Sequence, residues 1–309
     1  MKLSGLGEKK VIERLASFLD VRDDAACIPH GGEYLVLTTD MIYQKTHILP
    51  GMTAEQIGRF IVSVNVSDVA AMGAKPAAFL MACGLPRDME YEYLERILRA
   101  AEKQCRRYGA RYVGGDTKES DALTLAGFCM GRTKRPVTRS GAKRGDIVAV
   151  TGSLGAASLG VHLLLKGLRY PGSGGVVRKA LEPVARVKEG LIIGRYANAL
   201  TDTSDSLSMC VHDIADMSNT GIKLFSDKIP ISASAKRLAR KAGLSSHELA
   251  LYGGGDYELV YTMPPKKFEK IADSIDTTEI GVVEGRGVVL VSGDAKVPLE
   301  KKGFEHFSH

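Results

Sequence analysis

The sequence predicts a two-domain protein of the α/β class (α+β type), with mixed sheets and helices. Three observations predict it. The chain has 309 residues, more than one hydrophobic core comfortably serves, so two units of roughly 150 residues each are expected. Hydrophobic residues make up 44% and charged residues 25%, the balance of a globular protein rather than a disordered or membrane-embedded one. Apolar runs of strand length also alternate with segments of helical spacing along the chain.

The elements follow in order. Residues 8–19 place Val11, Ile12, Leu15, Phe18 and Leu19 at helical spacing, which predicts an amphipathic first helix. Residues 34–38 contain the continuous apolar run Leu35-Val36-Leu37, as in a strand covered on both faces, and the run ends in Thr38-Thr39-Asp40. Strand ends are where α/β folds place ligands. Residues 53–72 read as a long helix: Thr53 and Gln56 have capping-box spacing and Gly73 ends the pattern. A strand at 77–85, a helix at 89–108 closed by Gly109, and a strand at 122–131 after the turn-rich GGDTKESD complete the first half. The basic segment KRPVTRSGAKRG, residues 134–145, is the expected junction, with domains at 1–136 and 137–309. Beyond it a strand at 147–151, a glycine turn and a helix through Leu165 are expected, then a flexible RYPGSGGVVRK. Helical spacing resumes near 187–200 and 207–217, with strands at 258–263, 279–283 and 287–291.

The formal net charge of +6, from 42 basic and 36 acidic residues, suits anionic substrates. There is no Trp and no basic stripe with interleaved aromatics, so nucleic acid is not an expected partner. The five cysteines form no CxxC pair and read as reduced core residues, which predicts a cytoplasmic protein without a zinc or redox centre. The N-terminal MKLSGLGEKKVIERL carries charge where a signal peptide has its apolar stretch, and no apolar run approaches membrane-spanning length.

Five acidic spots share one character, a carboxylate beside small or hydroxyl residues at the end of an apolar run. They are Asp23-Asp24, Thr39-Asp40, Ser67-Asp68, Asp116-Thr117 and the DTSD at 202–205. Small neighbours let a phosphate approach, and hard Mg²⁺ takes carboxylate oxygens while keeping positions for substrate phosphates. Asp, Ser and Thr ahead of a helix also serve as N-caps worth about 1 kcal/mol, the competing explanation at each spot. Asp68 resists that explanation, because it lies inside the apolar helix pattern of Val64, Val66, Val69 and Met72. Gly114-Gly115 before Asp116 suggests backbone close to a ligand, or a tight turn. No GxxxxGK[ST], no HRD with a later DFG and no strand-linked GxGxxG is present, so a nucleotide must be held another way. Arg139, Lys143 and Arg144 are the cations available for phosphates, and His47 and His212 are candidate polar site residues.

On these residues the chain resembles the thiamine-monophosphate kinases, of the aminoimidazole ribonucleotide synthetase-like superfamily. The resemblance runs nearly end to end. It rests on DDAA at 23–26, TTDM at 38–41, NVSDVAAMGAKP at 65–76 and GGDT at 114–117 in the first half. In the second half it rests on RSGAKRGD at 139–146, VTGSLG at 150–155, DTSDSL at 202–207, GGGDYEL at 253–259 and KGFEHF at 302–307. The resemblance implies direct transfer of the γ-phosphoryl of ATP to thiamine monophosphate, giving thiamine diphosphate and ADP, on an ATP-binding fold of the superfamily type. It implies several Mg²⁺ ions on Asp24, Asp40, Asp68, Asp116, Asp202 and Asp205, assisted by Thr38 and Thr39. ATP contacts are implied at Gly115, Asp116, Arg139 and Ser204, with Tyr108 a further one, and acceptor contacts at His47, Gly255 and Phe304. A face of Phe304 suits a flat cationic heterocycle. A homodimer paired through the N-terminal domains, with active sites between them, is implied as well. Four positions depart from the family pattern. Arg22 and Ser206 replace glycines, Ala185 replaces a proline, and Gly255 replaces a glutamate, leaving Asp256 or Glu258 as possible substitutes at the acceptor. The competing readings are a superfamily enzyme that activates another oxygen or selenide acceptor with ATP, and a nucleotide-binding member without turnover.

Overall fold

The computed structural model describes residues 7–19 and 23–304. Arg22 and residues 305–307 of the closing motif lie outside them. The first half runs α1 (Glu8–Leu15), β1 (Ala26–His30), β2 (Glu33–Tyr43), α2 (Gln44–His47), α3 (Ala54–Ala71), β3 (Lys75–Leu85), α4 (Tyr91–Arg107), β4 (Arg111–Glu119) and β5 (Thr124–Thr133). The second half contains β6 (Ile147–Thr151), α5 (Ala156–Leu165), α6 (Gly174–Leu181), α7 (Val187–Ile193), β7 (Ala199–Asp202), α8 (Leu207–Met217) and β8 (Gly221–Phe225). It closes with α9 (Ala233–Lys241), α10 (Ser246–Tyr252), β9 (Leu259–Met263), α11 (Pro265–Phe268), β10 (Thr277–Val283), β11 (Gly287–Ser292) and β12 (Ala295–Pro298). The expected α/β class with mixed sheets is present.

The first sheet has the order β1-β2-β5-β3-β4 and the second β12-β11-β8-β10-β6-β9-β7. Within each, one neighbouring pair is parallel, β3 with β4 and β8 with β11, and the remaining pairs are antiparallel.

Helix α3 is the shared axle. Its capping box is formed on both sides, Thr53 Oγ1 accepting the Gln56 amide and Gln56 Oε1 accepting the Thr53 amide, worth about 1 kcal/mol. It is buried on nearly every side, with Ile57, Ile61, Val62, Val66 and Val69 fully covered, because the first sheet, α4 and α7 all pack on it. Two glycines permit that closeness. A Cβ at Gly58 would lie 2.1 Å from the carbonyl oxygen of Ile97 on α4, and one at Gly190 of α7 would lie 2.4 Å from that of Ala70. From the second half, Leu181 and Ala185 join the core of the first.

Several expected boundaries change. Strand β2 continues to Tyr43, so Thr38-Thr39-Asp40 lie in mid-strand rather than at its end. The GGDT segment, expected as a turn, is part of the edge strand β4. The stretch expected to be flexible forms α6, and the helix expected over 187–200 stops at Ile193 so that β7 can pair with β9. The first helix ends at Leu15. No helix among the described residues is long and apolar enough to cross a membrane.

Candidate active site

The site grows from one turn of α3. Asn65, Ser67 and Asp68 are polar in an otherwise apolar helix, and buried polar groups must find partners. Asn65 Oδ1 accepts the amide of Asp40 at 2.9 Å, and its Nδ2 donates to the Ile61 carbonyl at 2.9 Å, so the helix grips the middle of β2. Thr38, two residues earlier on the same face of β2, donates from Oγ1 to Asp68 Oδ2 at 2.7 Å. Ser67 reaches the other way and donates to Asp202 Oδ2, at the end of β7, at 2.5 Å. Asp24, ahead of β1, completes the group. One carboxylate oxygen each from Asp24, Asp68 and Asp202 lie within 4.8 Å of one another.

Like charges this close resist ionisation. Burial, then the charges of Asp40, Asp202 and Asp24, raise the proton affinity of Asp68 well above the usual carboxylate range. Burial and Asp24 likewise raise that of Asp202. Among the described residues, the guanidinium that reaches the cluster is that of Arg139, which donates to Asp24 Oδ1 at 2.6 Å, to Thr201 Oγ1 at 3.2 Å and to Asp213 at 3.4 Å. Burial disfavours its charge, but Asp24 and Asp213 hold it firmly protonated. Even so, Asp24 Oδ2 and Asp202 Oδ1 are buried without a hydrogen-bond partner. Unmatched, mutually repelling hard oxygens are the donor set that a divalent cation of the Mg²⁺ type satisfies. The acidic cluster can therefore hold a metal.

A second group adjoins the first through the loop after β7. The amide of Gly255 donates to the Ser204 carbonyl at 2.8 Å, the Thr203 amide to the Glu258 carbonyl at 2.8 Å, and the Phe304 amide to the Asp205 carbonyl at 3.3 Å. Asp205 is exposed there, and so is Phe304. Thus Ser204, Asp205, Gly255 and Phe304 lie together. Gly255 has φ +84°, a conformation that favours glycine. Asp256 and Glu258 do not stand in for the family glutamate. Asp256 is buried and accepts the amides of Gly155 at 2.6 Å and Ala157 at 2.9 Å, at the start of α5. Glu258 is fully buried and accepts from Thr151 Oγ1 at 2.7 Å, Lys179 Nζ at 2.7 Å and the Arg186 guanidinium.

Other expected residues stand elsewhere in a single chain. Asp116 pairs in register with Ala82, Ala82 with Ala126 and Ala126 with Met41, so Asp116 and Thr39 project from the sheet face away from α3. Asp116 is exposed, and its carboxylate is held below the usual range by the Thr117 amide and by Lys118. Gly115 is exposed on the same edge strand. The Tyr108 hydroxyl bonds Ser63 Oγ at 3.1 Å and accepts the Ala185 amide at 3.0 Å, a buried strut between α3 and the segment before α7. His47 Nδ1 accepts the Tyr43 amide at 3.2 Å. Lys143 and Arg144 are exposed, and His212 bonds the Leu299 carbonyl at 2.9 Å.

Sequence reasoning missed Ser67 as the residue holding Asp202, and Tyr257. Tyr257 has φ +51°, packs edge-on against Phe60 with ring centroids 6.5 Å apart, and is partly buried; desolvation, then the charges of Asp40, Asp202, Asp68 and Asp205, disfavour its ionisation. Backbone strain of this kind concentrates at functional loops. The signal for Ser67 was there, a hydroxyl inside an apolar helix one residue from Asp68.

The family profile described as AIR synthase related protein, N-terminal domain, matches residues 22–133. The thiamine-monophosphate kinase of Aquifex aeolicus is 36% identical over 312 aligned positions, covering 99% of this chain and 100% of that protein. The chain belongs to the thiamine-monophosphate kinase family. The Pyrococcus horikoshii member is 37% identical over 285 positions, covering 92% of this chain and 90% of that protein. The structure of AaThiL complexed with AMPPCP and TMP superposes with a TM-score of 0.92 at 35% identity, covering 99% of both chains. The phosphotransferase class read from the sequence follows from this membership.

Against the family background, two departures have a structural account. Ser206 has φ 176°, ordinary extended backbone, so its position does not require glycine, and its hydroxyl caps α8 by accepting the Met209 amide at 3.0 Å. Ala185, where the family has proline, uses the amide that a proline would lack to bond Tyr108.

Proposed function

We propose that this chain transfers the γ-phosphoryl of ATP to the phosphate of thiamine monophosphate, giving thiamine diphosphate and ADP in one direct step. The observation that carries the reading is the buried cluster of Asp24, Asp68 and Asp202 with two unpartnered oxygens, in a chain aligned over its whole length with thiamine-monophosphate kinases. Asp24, Asp40, Asp68, Asp202 and Asp205, with Thr38, would hold Mg²⁺ ions on the covered side of the sheet, and Thr39, which shares the opposite face with Asp116, would act there. Bound there, the ions neutralise the phosphate charge that builds up in transfer. Arg139 and Ser204 serve ATP. His47, the open backbone at Gly255 and the exposed ring of Phe304 serve the acceptor. A phosphate monoester is already largely ionised at neutral pH, so its oxygen attacks without a side-chain base and no residue is assigned that role.

Asp116 and Gly115 enter this scheme through a homodimer. The sheet face away from α3 carries Leu35, Leu37, Met41, Leu80, Phe128 and Met130, with Met41 56% and Leu80 36% exposed. An apolar sheet face of this kind suits a second copy. Pairing would bring the partner's edge strand, with its GGDT, to the site. The two domains divide near residue 136, in the segment between Thr133 at the end of β5 and Ile147 at the start of β6. Five cysteines without disulfides suit a reducing cytoplasm.

Incubating the pure protein with ATP, Mg²⁺ and thiamine monophosphate tests the reading. Stoichiometric thiamine diphosphate and ADP are expected. ATP consumption that needs some other acceptor, or tight ATP binding without turnover, would overturn it.

A further inference from the structure

The segment from Leu299 to Phe304 runs along α8 in the opposite direction, held at nearly every residue. His212 Nε2 donates to the Leu299 carbonyl at 2.9 Å, Ser208 Oγ to the Glu300 carbonyl at 2.5 Å and Ser206 Oγ to the Lys302 carbonyl at 2.8 Å. Lys301 pairs with Asp213 and Asp216, each at 3.0 Å. The spacing of 208, 212 and 216 is one face of a helix, so α8 acts as a track. At the end of the track Gly303 lies so close that a Cβ there would be 2.7 Å from both Ser206 Oγ and Met209 Cγ, and the Phe304 amide reaches the Asp205 carbonyl. Phe304 itself stays 52% exposed, with its backbone tied to Asp205.

We infer that Ser206 and Ser208 are positioning residues for the acceptor, fixing the C-terminal segment so that the Phe304 ring stands beside Asp205. Residues 299–304 lie outside any helix or strand, so without these bonds little would order them. Holding it in advance lowers the ordering cost of binding a flat aromatic ligand. The inference rests on the proposed role of Phe304 toward thiamine monophosphate. It assigns no contact between the serines and substrate.

The test compares Ser206→Ala, Ser208→Ala, Phe304→Ala and the two double variants with wild type. Each serine variant is expected to raise KM for thiamine monophosphate about threefold to tenfold with kcat and the KM for ATP held within about twofold. In the Phe304→Ala background the same serine changes should add nothing, because the ring they position is gone. Trypsin should cleave after Lys301 and Lys302 faster in both serine variants. Since Ser206 also caps α8 beside Asp205, Ser208→Ala is the cleaner variant. Serine effects on KM that persist in full without Phe304, or an unchanged acceptor KM in Ser208→Ala, would overturn the inference. A wild-type protein that makes no thiamine diphosphate fails the functional reading instead. Unaltered tryptic cleavage in both serine variants rejects the strap by itself.

Discussion

At Asp68 burial and three neighbouring carboxylates oppose ionisation, and the hydrogen bond from Thr38 offsets only part of that. Removing the charge while keeping the shape therefore separates function from folding. Asp68→Asn is expected to lower kcat by at least about a hundredfold, the scale of losing electrostatic stabilisation of a transferring group. In metal-free protein its thermal midpoint should equal or exceed that of wild type. Retained activity at saturating Mg²⁺ would remove Asp68 from the metal set. Gly255 poses the opposite problem. A Cβ there would meet only Ala157 Cβ at 3.7 Å, an ordinary contact, but φ +84° strains any L-residue. Gly255→Glu is expected to cost about 1 kcal/mol of stability and, by restoring the family carboxylate, to lower the acceptor KM. Urea unfolding and steady-state kinetics on one preparation read both, and an unchanged KM in the folded variant would place the acceptor elsewhere.

Among the elements, the start of β9 depends on a buried carboxylate. Glu258 is fully covered and pairs with both Lys179 of α6 and Arg186 ahead of α7, tying both helices to the sheet. Glu258→Ala leaves two cations without their partner and is expected to lower unfolding free energy by about 3–5 kcal/mol, measured by chemical denaturation; a loss below about 1 kcal/mol would show that the cations find other partners. This network was not legible beforehand, because nothing in the sequence pairs residues 179, 186 and 258. Helix α3 was legible, since its cap and its glycine stop are local signals, and α8 matches its expected bounds. Strand β4 was not, because a strand on an open edge shows no alternation and its glycines read as a turn. Strand β2 looked too short because the buried Thr38 hydroxyl and the Asp40 amide find partners on α3, and a sequence does not display partners. Helix α6 opens with glycines that read as a linker, yet Val176 packs so closely on α5 that a Cβ at Gly160 would lie 2.2 Å from its carbonyl oxygen. Within the site, the carboxylates of Asp24, Asp68 and Asp202 could be chosen from their small neighbours. The two-sided strand that sends Asp40 and Asp116 to opposite faces of one sheet could not.

For the whole molecule the two sheet faces carry separate consequences. On the open face, Leu80→Lys places a charge at the centre of an apolar surface and is expected to turn a dimer into a monomer by analytical ultracentrifugation, with activity falling if the partner's Asp116 is needed. A wild-type protein that is monomeric at micromolar concentration would remove the dimer from the scheme. On the covered face the carboxylate cluster links metal, pH and stability. Asp68 and Asp202 have proton affinities raised in the folded state, so without metal the folded protein binds more protons than the unfolded chain once pH rises above the ordinary carboxylate range near about 4. Their contribution is fully present below that range and is lost as pH climbs through the raised folded-state values. Stability conferred by these two groups should therefore fall from pH 4 toward neutrality in the metal-free protein, the reverse of a salt-bridged carboxylate. A divalent cation held there would bind the ionised form of the cluster, so added Mg²⁺ should raise the thermal midpoint more at pH 7.5 than at pH 5, because protons compete for the same oxygens at the lower pH. Asp68→Asn should flatten both dependences. A midpoint in chelator that does not differ between wild type and Asp68→Asn at any pH, together with a Mg²⁺ response equal at pH 5 and pH 7.5, would mean that these carboxylates neither repel one another nor share a cation.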